Sequence, residues 1–147
     1  MDKIRWGVAG PGWAAERFAK GLTYTKDAVL EAVASRSSLS KARDFADRHG
    51  IQKAYGRYEE FLEEPEIDIV YVSNLNPAHK QVVLDCLQAG KPVLCEKPFA
   101  LNAREAQEMI DAARKEDLLQ MEAMWSRFLP VTKTVRQWLK EGRIGQV

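Results

Sequence analysis

The stretch Gly10-Pro11-Gly12-Trp13-Ala14-Ala15 narrows the possible folds more than any other. It follows a short apolar run, Ile4–Ala9, and after it Ala15, Phe18, Ala19 and Leu22 recur at helical spacing. A strand that passes into a helix within so few residues needs a sharp turn. Gly10 permits the tight exit from the strand, Gly12 lets the backbone approach a ligand, and Ala15 is small enough for the helix to lie close to the strand. The free N–H groups of the new helix then make an anion site suited to a pyrophosphate. Alone, a G-x-G-x-x-A pattern is weak; its place between the first strand and the first helix gives it weight. The expected ligand is a dinucleotide, and Trp13 either packs over the turn or touches that ligand.

The rest of the chain continues the alternation. Residues 29–35 form the next apolar run, Ser38 offers an N-cap, Ala42, Phe45 and Ala46 make a narrow stripe, and Gly50 supplies a stop. Residues 53–55 read as a short strand and Tyr58–Leu62 as a short helix. Residues 67–73 are nearly all apolar, as in a strand covered on both faces. Asn76-Pro77 opens a helix with Asn76 as N-cap, Val82, Val83, Cys86 and Leu87 line its inner side, and Gly90 closes it. A fifth strand over 92–95, a capping box at Asn102 and Glu105, a sixth strand over 118–125 and a helix over 131–139 ending near Gly142 complete the series. This order predicts an α/β fold, a doubly wound parallel sheet of about six strands with helices on both faces. No repeat or linker interrupts it, so residues 1–147 are expected to form one dinucleotide-binding domain.

Charge and cysteine usage close off other classes. Lys plus Arg number 22 against 21 Asp plus Glu, which gives no bulk charge for nucleic acid or a membrane surface. The first apolar run is too short for a signal or spanning segment, and the cytoplasm is the expected compartment. Cys86 and Cys95 have neither metal-site nor C-x-x-C spacing, so buried free thiols and no metal are expected.

The end of the second strand bears on which nucleotide is bound. An Asp or Glu there would accept from both ribose hydroxyls and repel a 2′-phosphate. The sequence has Ala34-Ser35-Arg36-Ser37-Ser38 instead, with no acid before Arg43. Ser35 can donate a hydroxyl hydrogen bond, Arg36 can make charge-assisted bonds to phosphate oxygens, and Lys41 adds a second positive charge. These residues predict a preference for NADP over NAD.

Ligands of doubly wound sheets lie beyond the carboxyl ends of the strands, where strand order reverses. The fourth strand ends in Ser73, Asn74, Asn76 and His79, and the fifth in Glu96-Lys97-Pro98. Asn74 either bonds a cofactor ribose or carboxamide or serves a turn. His79, inside the first turn of a helix, is expected to be structural. A hydride-transfer site needs a group to orient the nicotinamide ribose, for which Glu96 is suited, and a cation near the reacting oxygen, for which Lys97 is suited. A cis bond before Pro98 would fix the turn.

"GPGWAA", "NPAH" and "AGKPVLCEKPFALN", in that order and spacing, resemble the cofactor domain of the Gfo/Idh/MocA oxidoreductases. "AYGRYEEFL" and "MEAMWSRFLP" look closer to the dihydrodiol dehydrogenase and NADP-dependent D-xylose dehydrogenase branch. The resemblance implies oxidation of a sugar, inositol or cyclic diol with hydride transfer to NAD(P), Lys97 positioning substrate and cofactor, and Glu96 near the nicotinamide ribose. It also implies that Trp125 lines the substrate pocket, with Arg127 nearby. Members of the family continue past the point where this sequence stops into a mostly antiparallel domain. That domain supplies most substrate contacts, the proton-transfer His or Tyr and the homo-oligomer interface. The expected function is the NADP-binding half of a dehydrogenase; a nucleotide-binding or regulatory module without turnover is the alternative. A methyltransferase using S-adenosylmethionine would suit the glycine turn but gives Glu96-Lys97 no task. Without a second domain, an apolar surface around Phe128, Leu129 and Trp138 is expected to be open.

Overall fold

The computed structural model describes residues 3–36 and 38–146. Six strands, β1 (Ile4–Ala9), β2 (Ala28–Ala34), β3 (Lys53–Tyr55), β4 (Ile69–Val72), β5 (Val93–Cys95) and β6 (Gln120–Glu122), form one sheet in the order β3-β2-β1-β4-β5-β6. Every pairing is parallel. The order reverses between β1 and β4, the crevice predicted for the ligand. Between the strands run α1 (Trp13–Leu22), α2 (Leu39–His49), α3 (Tyr58–Leu62), α4 (His79–Gln88) and α5 (Ala103–Lys115), and α6 (Pro130–Lys140) follows β6.

Alternation along the strands sorts the core into two layers. Val70 and Val72 join Phe61, Val83, Leu87 and Met109 on the face under α3, α4 and α5. Val8, Val33 and Tyr71 point the other way, to Ala15, Ala19, Phe45 and Ala46 of α1 and α2. Gly7 has no room for a side chain, because a Cβ there would meet Phe61 Cζ at 2.6 Å. Cys86 and Cys95 are buried free thiols. At the far end of the sheet Lys53 sits 3.1 Å from both Glu31 and Glu64 and also pairs with Glu66. Close by, Arg5 grips Asp68 through Nε at 3.1 Å and Nη2 at 2.7 Å.

Helix ends follow the sequence in most places. Ser38 accepts from the Lys41 N–H, and Gly50 adopts φ 67° at the end of α2. Asn102 caps α5 through Glu105 N–H at 3.0 Å, but the Glu105 carboxylate accepts from Leu101 N–H, one residue before the reciprocal position of a capping box. Asn76 is not an N-cap. Asn76–Ala78 form a single 3-10 turn ahead of α4, and no side chain caps either element. The fourth strand starts later than residue 67, since Asp68 N–H bonds Arg5 O while Ile67 turns back toward Glu64 O. The sixth is only three residues long. Leu118 N–H closes α5 on Ala113 O, and Met124 and Trp125 fold into tight turns before a 3-10 helix at Trp125–Phe128.

Candidate functional site

The glycine turn is shaped by two different demands. Gly10 adopts φ 101°, and a Cβ there would lie 2.7 Å from the Asn74 backbone N. Both torsion and packing require glycine. Its N–H bonds Ala34 O at 2.9 Å and its carbonyl accepts from Ser73 Oγ at 2.9 Å, which staples the turn to β2 and β4. Gly12 is under neither constraint. Its backbone is extended, and a Cβ would find only Ser73 O at 4.0 Å. As the N-cap of α1 it provides no side-chain bond, where Ser or Asp would serve better. Nothing among the described residues explains the glycine. It leaves the start of α1 open to close approach from outside.

At the end of β4, Asn74 lies beside the Tyr58 phenol, whose pKa is raised by burial, an effect offset in part by Asn74 and Arg36. The Asn74 Oδ1 is buried without a hydrogen-bond partner. A buried acceptor left unpaired is costly, so it is a group poised for an incoming donor. His79 is fully buried, with Nδ1 2.9 Å from Pro98 O and Nε2 3.1 Å from Asn74 O. It ties the β4 end to the β5 turn, the structural role expected of it. His49 pairs with Glu16 on the opposite side of α1.

Glu96 leaves β5 half-buried, its N–H on Val72 O. Its Oε1 accepts from Tyr71 Oη at 2.6 Å and its Oε2 from Lys97 N–H at 3.1 Å. Burial, and then the Glu96 carboxylate, push the Tyr71 phenol above its usual range. Lys97 is exposed, forms no ion pair among the described residues, and precedes a cis peptide bond to Pro98.

These groups border one cavity of about 690 Å³. Trp13, Asn74, Glu96, Lys97 and Trp125, all singled out from the sequence, line it. Gly10, Gly12 and Ala15 shape its rim without lining it, Ala15 being buried against the sheet. Trp13 does not pack over the turn: it is 72% exposed, with the Arg17 guanidinium 4.9 Å from its ring. Ser35 is buried and Arg36 exposed just past the end of β2, and Lys41 is exposed in the first turn of α2, all outside the cavity. Arg127 is exposed on the 3-10 helix and does not line it. Phe128, expected on an open apolar surface, also lines it, and so do Arg17, Phe18, Tyr71, Leu94 and Met121, which had not been singled out as site residues. Spacing could have found two of them. Arg17 lies one turn beyond Trp13, and Tyr71 alternates with Val70 and Val72. A second groove of about 640 Å³, under Phe99, Leu119 and Gln120 at the outer sheet edge, holds none of the candidate residues.

Residues 4–123 match the model of an oxidoreductase family with an NAD-binding Rossmann fold, the Gfo/Idh/MocA family. The chain belongs to this family. Among curated members, the trans-1,2-dihydrobenzene-1,2-diol dehydrogenase of Xenopus tropicalis is 46% identical over 97% of the chain and 44% of its own length. The human enzyme of the same name is 41% identical over 98% of the chain and 43% of its own length. The chain thus spans less than half the length of these relatives. A 3-ketoreductase from Actinomadura kijaniata, solved in complex with NADP, superposes with a TM-score of 0.90 at 32% identity, over 99% of the chain and 46% of the reductase. As a Gfo/Idh/MocA member the chain has the NAD-binding Rossmann fold of that oxidoreductase family. No helix among the described residues is long and apolar enough to cross a membrane.

Proposed function

We propose that this chain is the NADP-binding half of a cytoplasmic dehydrogenase that oxidises a secondary alcohol of a sugar, inositol or cyclic diol. Residues 1–147 form its dinucleotide-binding domain. The observation that carries the reading is the position of Asn74. Its backbone abuts Gly10, its buried Oδ1 is unpartnered, and the residue lines a cavity shared with Glu96 and Lys97. The phosphate turn and the charged pair therefore serve one ligand.

The residues present fit a nicotinamide dinucleotide. The open approach at Gly12 and the uncapped start of α1 suit a pyrophosphate. Trp13 and Ala15 flank that turn. Ser35, Arg36 and Lys41 would hold a 2′-phosphate, and no acid stands at the end of β2 to repel one. Asn74 and Glu96 would accept from ribose hydroxyls or the carboxamide. When bound, the nicotinamide supplies the hydride acceptor. Lys97 places an ammonium beside the reacting oxygen, where it stabilises negative charge as the hydroxyl proton leaves. Trp125 and Arg127 border the space left for substrate. The proton-transfer residue and the homo-oligomer contacts belong to the part of the longer relatives that this chain does not match. The name of the diol dehydrogenases and the bound NADP of the ketoreductase support this reading.

Titration with NADPH and NADH, followed by fluorescence, tests it. The expected result is tighter binding of NADPH, and an Arg36→Ala chain that loses NADPH affinity about tenfold with little change for NADH. Equal losses for both cofactors would count against the 2′-phosphate assignment.

A further inference from the structure

Neighbouring acid and base in an exposed turn ordinarily draw together, if weakly. Glu96 and Lys97 do not. Both carboxylate oxygens are engaged elsewhere, Oε1 by Tyr71 Oη at 2.6 Å and Oε2 by the Lys97 backbone N–H at 3.1 Å, and no ion pair forms at the Lys97 ammonium among the described residues. The donor at Oε1 comes from another strand, 25 residues earlier, and it cannot swing away. Tyr71 is 2% exposed. Its ring stacks on Phe18 with centroids 4.1 Å apart, and Phe18 is met edge-on by Trp6 at 5.0 Å.

We propose that Tyr71 is the positioning residue of the Glu96-Lys97 pair, its hydroxyl fixing the carboxylate and keeping it off the adjacent ammonium. The proposal rests on the reading above, in which Glu96 accepts from a nicotinamide ribose. A phenol donating to a carboxylate makes a strong, short bond. Each carboxylate oxygen retains further lone-pair capacity, so both can still accept a ribose hydroxyl. Without the phenolic hydroxyl, the carboxylate is free to swing onto the Lys97 ammonium. The ribose then loses an ordered acceptor, and the substrate oxygen loses an unpaired cation.

The test is a double-mutant cycle on the 147-residue chain, reading the NADPH dissociation constant and the thermal melt of the unmodified chain, Tyr71→Phe, Glu96→Gln and the double variant. Tyr71→Phe keeps the stacked ring. It is expected to weaken binding about tenfold, Glu96→Gln at least as much, and the double variant no further than Glu96→Gln alone. If Tyr71→Phe binds normally while Glu96→Gln binds weakly, the proposal falls and the cofactor reading stands. It falls equally if Tyr71→Phe costs the same factor in both backgrounds, since the residue then acts by packing alone. If Glu96→Gln has no effect, or the unmodified chain does not bind NADPH, the assignment of Glu96 fails and this inference with it. Should Tyr71→Phe lose its cooperative melt, the Tyr71 ¹³Cζ resonance of the otherwise unmodified chain decides. A shift on Glu96→Gln supports the link and an unmoved resonance overturns it.

Discussion

The two faces of the sheet are finished differently. Under α3, α4 and α5 the centre of the floor is closed, with Phe61, Val70, Val72, Val83, Val93 and Met109 all fully buried, and the groove under Phe99, Leu119 and Gln120 opens at the outer edge. On the other face α1 and α2 close a cluster around Val8, Val33, Phe45 and Tyr71, but among the described residues no helix completes the layer over β5 and β6. There Met121 is 41% exposed and Tyr71, Leu94 and Ala123 form the floor of the cavity. The cavity-lining candidates Asn74, Glu96, Lys97 and Trp125 all stand at that opening. Fully buried side chains leave no room between them for a ligand, and the candidate residues gather where the other layer is left unfinished.

The contrast can be broken most severely by truncating one side chain on each face. Phe61→Ala removes a ring that fills the space above Gly7 and should cost about 3–5 kcal/mol in urea unfolding. Met121→Ala should cost about 1 kcal/mol or less. Comparable losses at the two sites would erase the distinction.

The two turn glycines sharpen it. Gly10→Ala meets a positive φ and the Asn74 backbone, and should destabilise by about 2 kcal/mol or more. Gly12→Ala, a poorer N-cap, should cost about 1 kcal/mol or less, yet weaken NADPH binding by at least roughly tenfold. If Gly12→Ala instead lowered stability further and spared binding, the open approach would have no ligand to explain it.

A smaller effect concerns pH at the opposite end of the sheet. The Arg5 hydrogen bonds, outweighing burial, hold the Asp68 carboxyl below its usual range. A depressed folded value means the contribution is complete above the ordinary aspartate pKa of about 4 and fades as pH falls through the lower folded value. Asp68→Asn should therefore lower the urea midpoint near neutrality and flatten its fall on acidification. An unchanged acid slope would mean that Asp68 plays no part in the acid response.

Least in energy is the surface beyond β6. Along α6, which has no buried residue, Val131, Val135, Trp138 and Leu139 are exposed, with Phe128 and Leu129 just before it. Sedimentation should show association that rises with concentration and is reduced by Trp138→Lys. A strict monomer at high concentration would argue against this.

Much of this was legible in the sequence because it depended on local chemistry. The glycine turn, the caps at Ser38 and Asn102 and the apolar runs each dictate their own backbone. Strand lengths were less so. The bounds of β4 and β6 are set where Ile67, Leu118 and Met124 bond the nearby carbonyls of Glu64, Ala113 and Glu122 in turns rather than a neighbouring strand, a competition that an apolar run does not reveal. Asn76 failed as a cap because the chain enters α4 through a 3-10 turn, which leaves its side chain out of reach of the helix. Of the site, the sequence showed the residues at strand ends, whereas for Tyr71 alternation could give the face but not the partner. Its role exists only once β4 lies beside β5.

The packing of Gly10 on Asn74 also bears on how such a chain can diverge. Any side chain at position 10 would strike the backbone of the fourth strand's exit, so a lineage could not alter one loop and keep the other. The two loops, 64 positions apart, would have to drift as a single heritable unit. Surveys of variation should find them changing together or not at all.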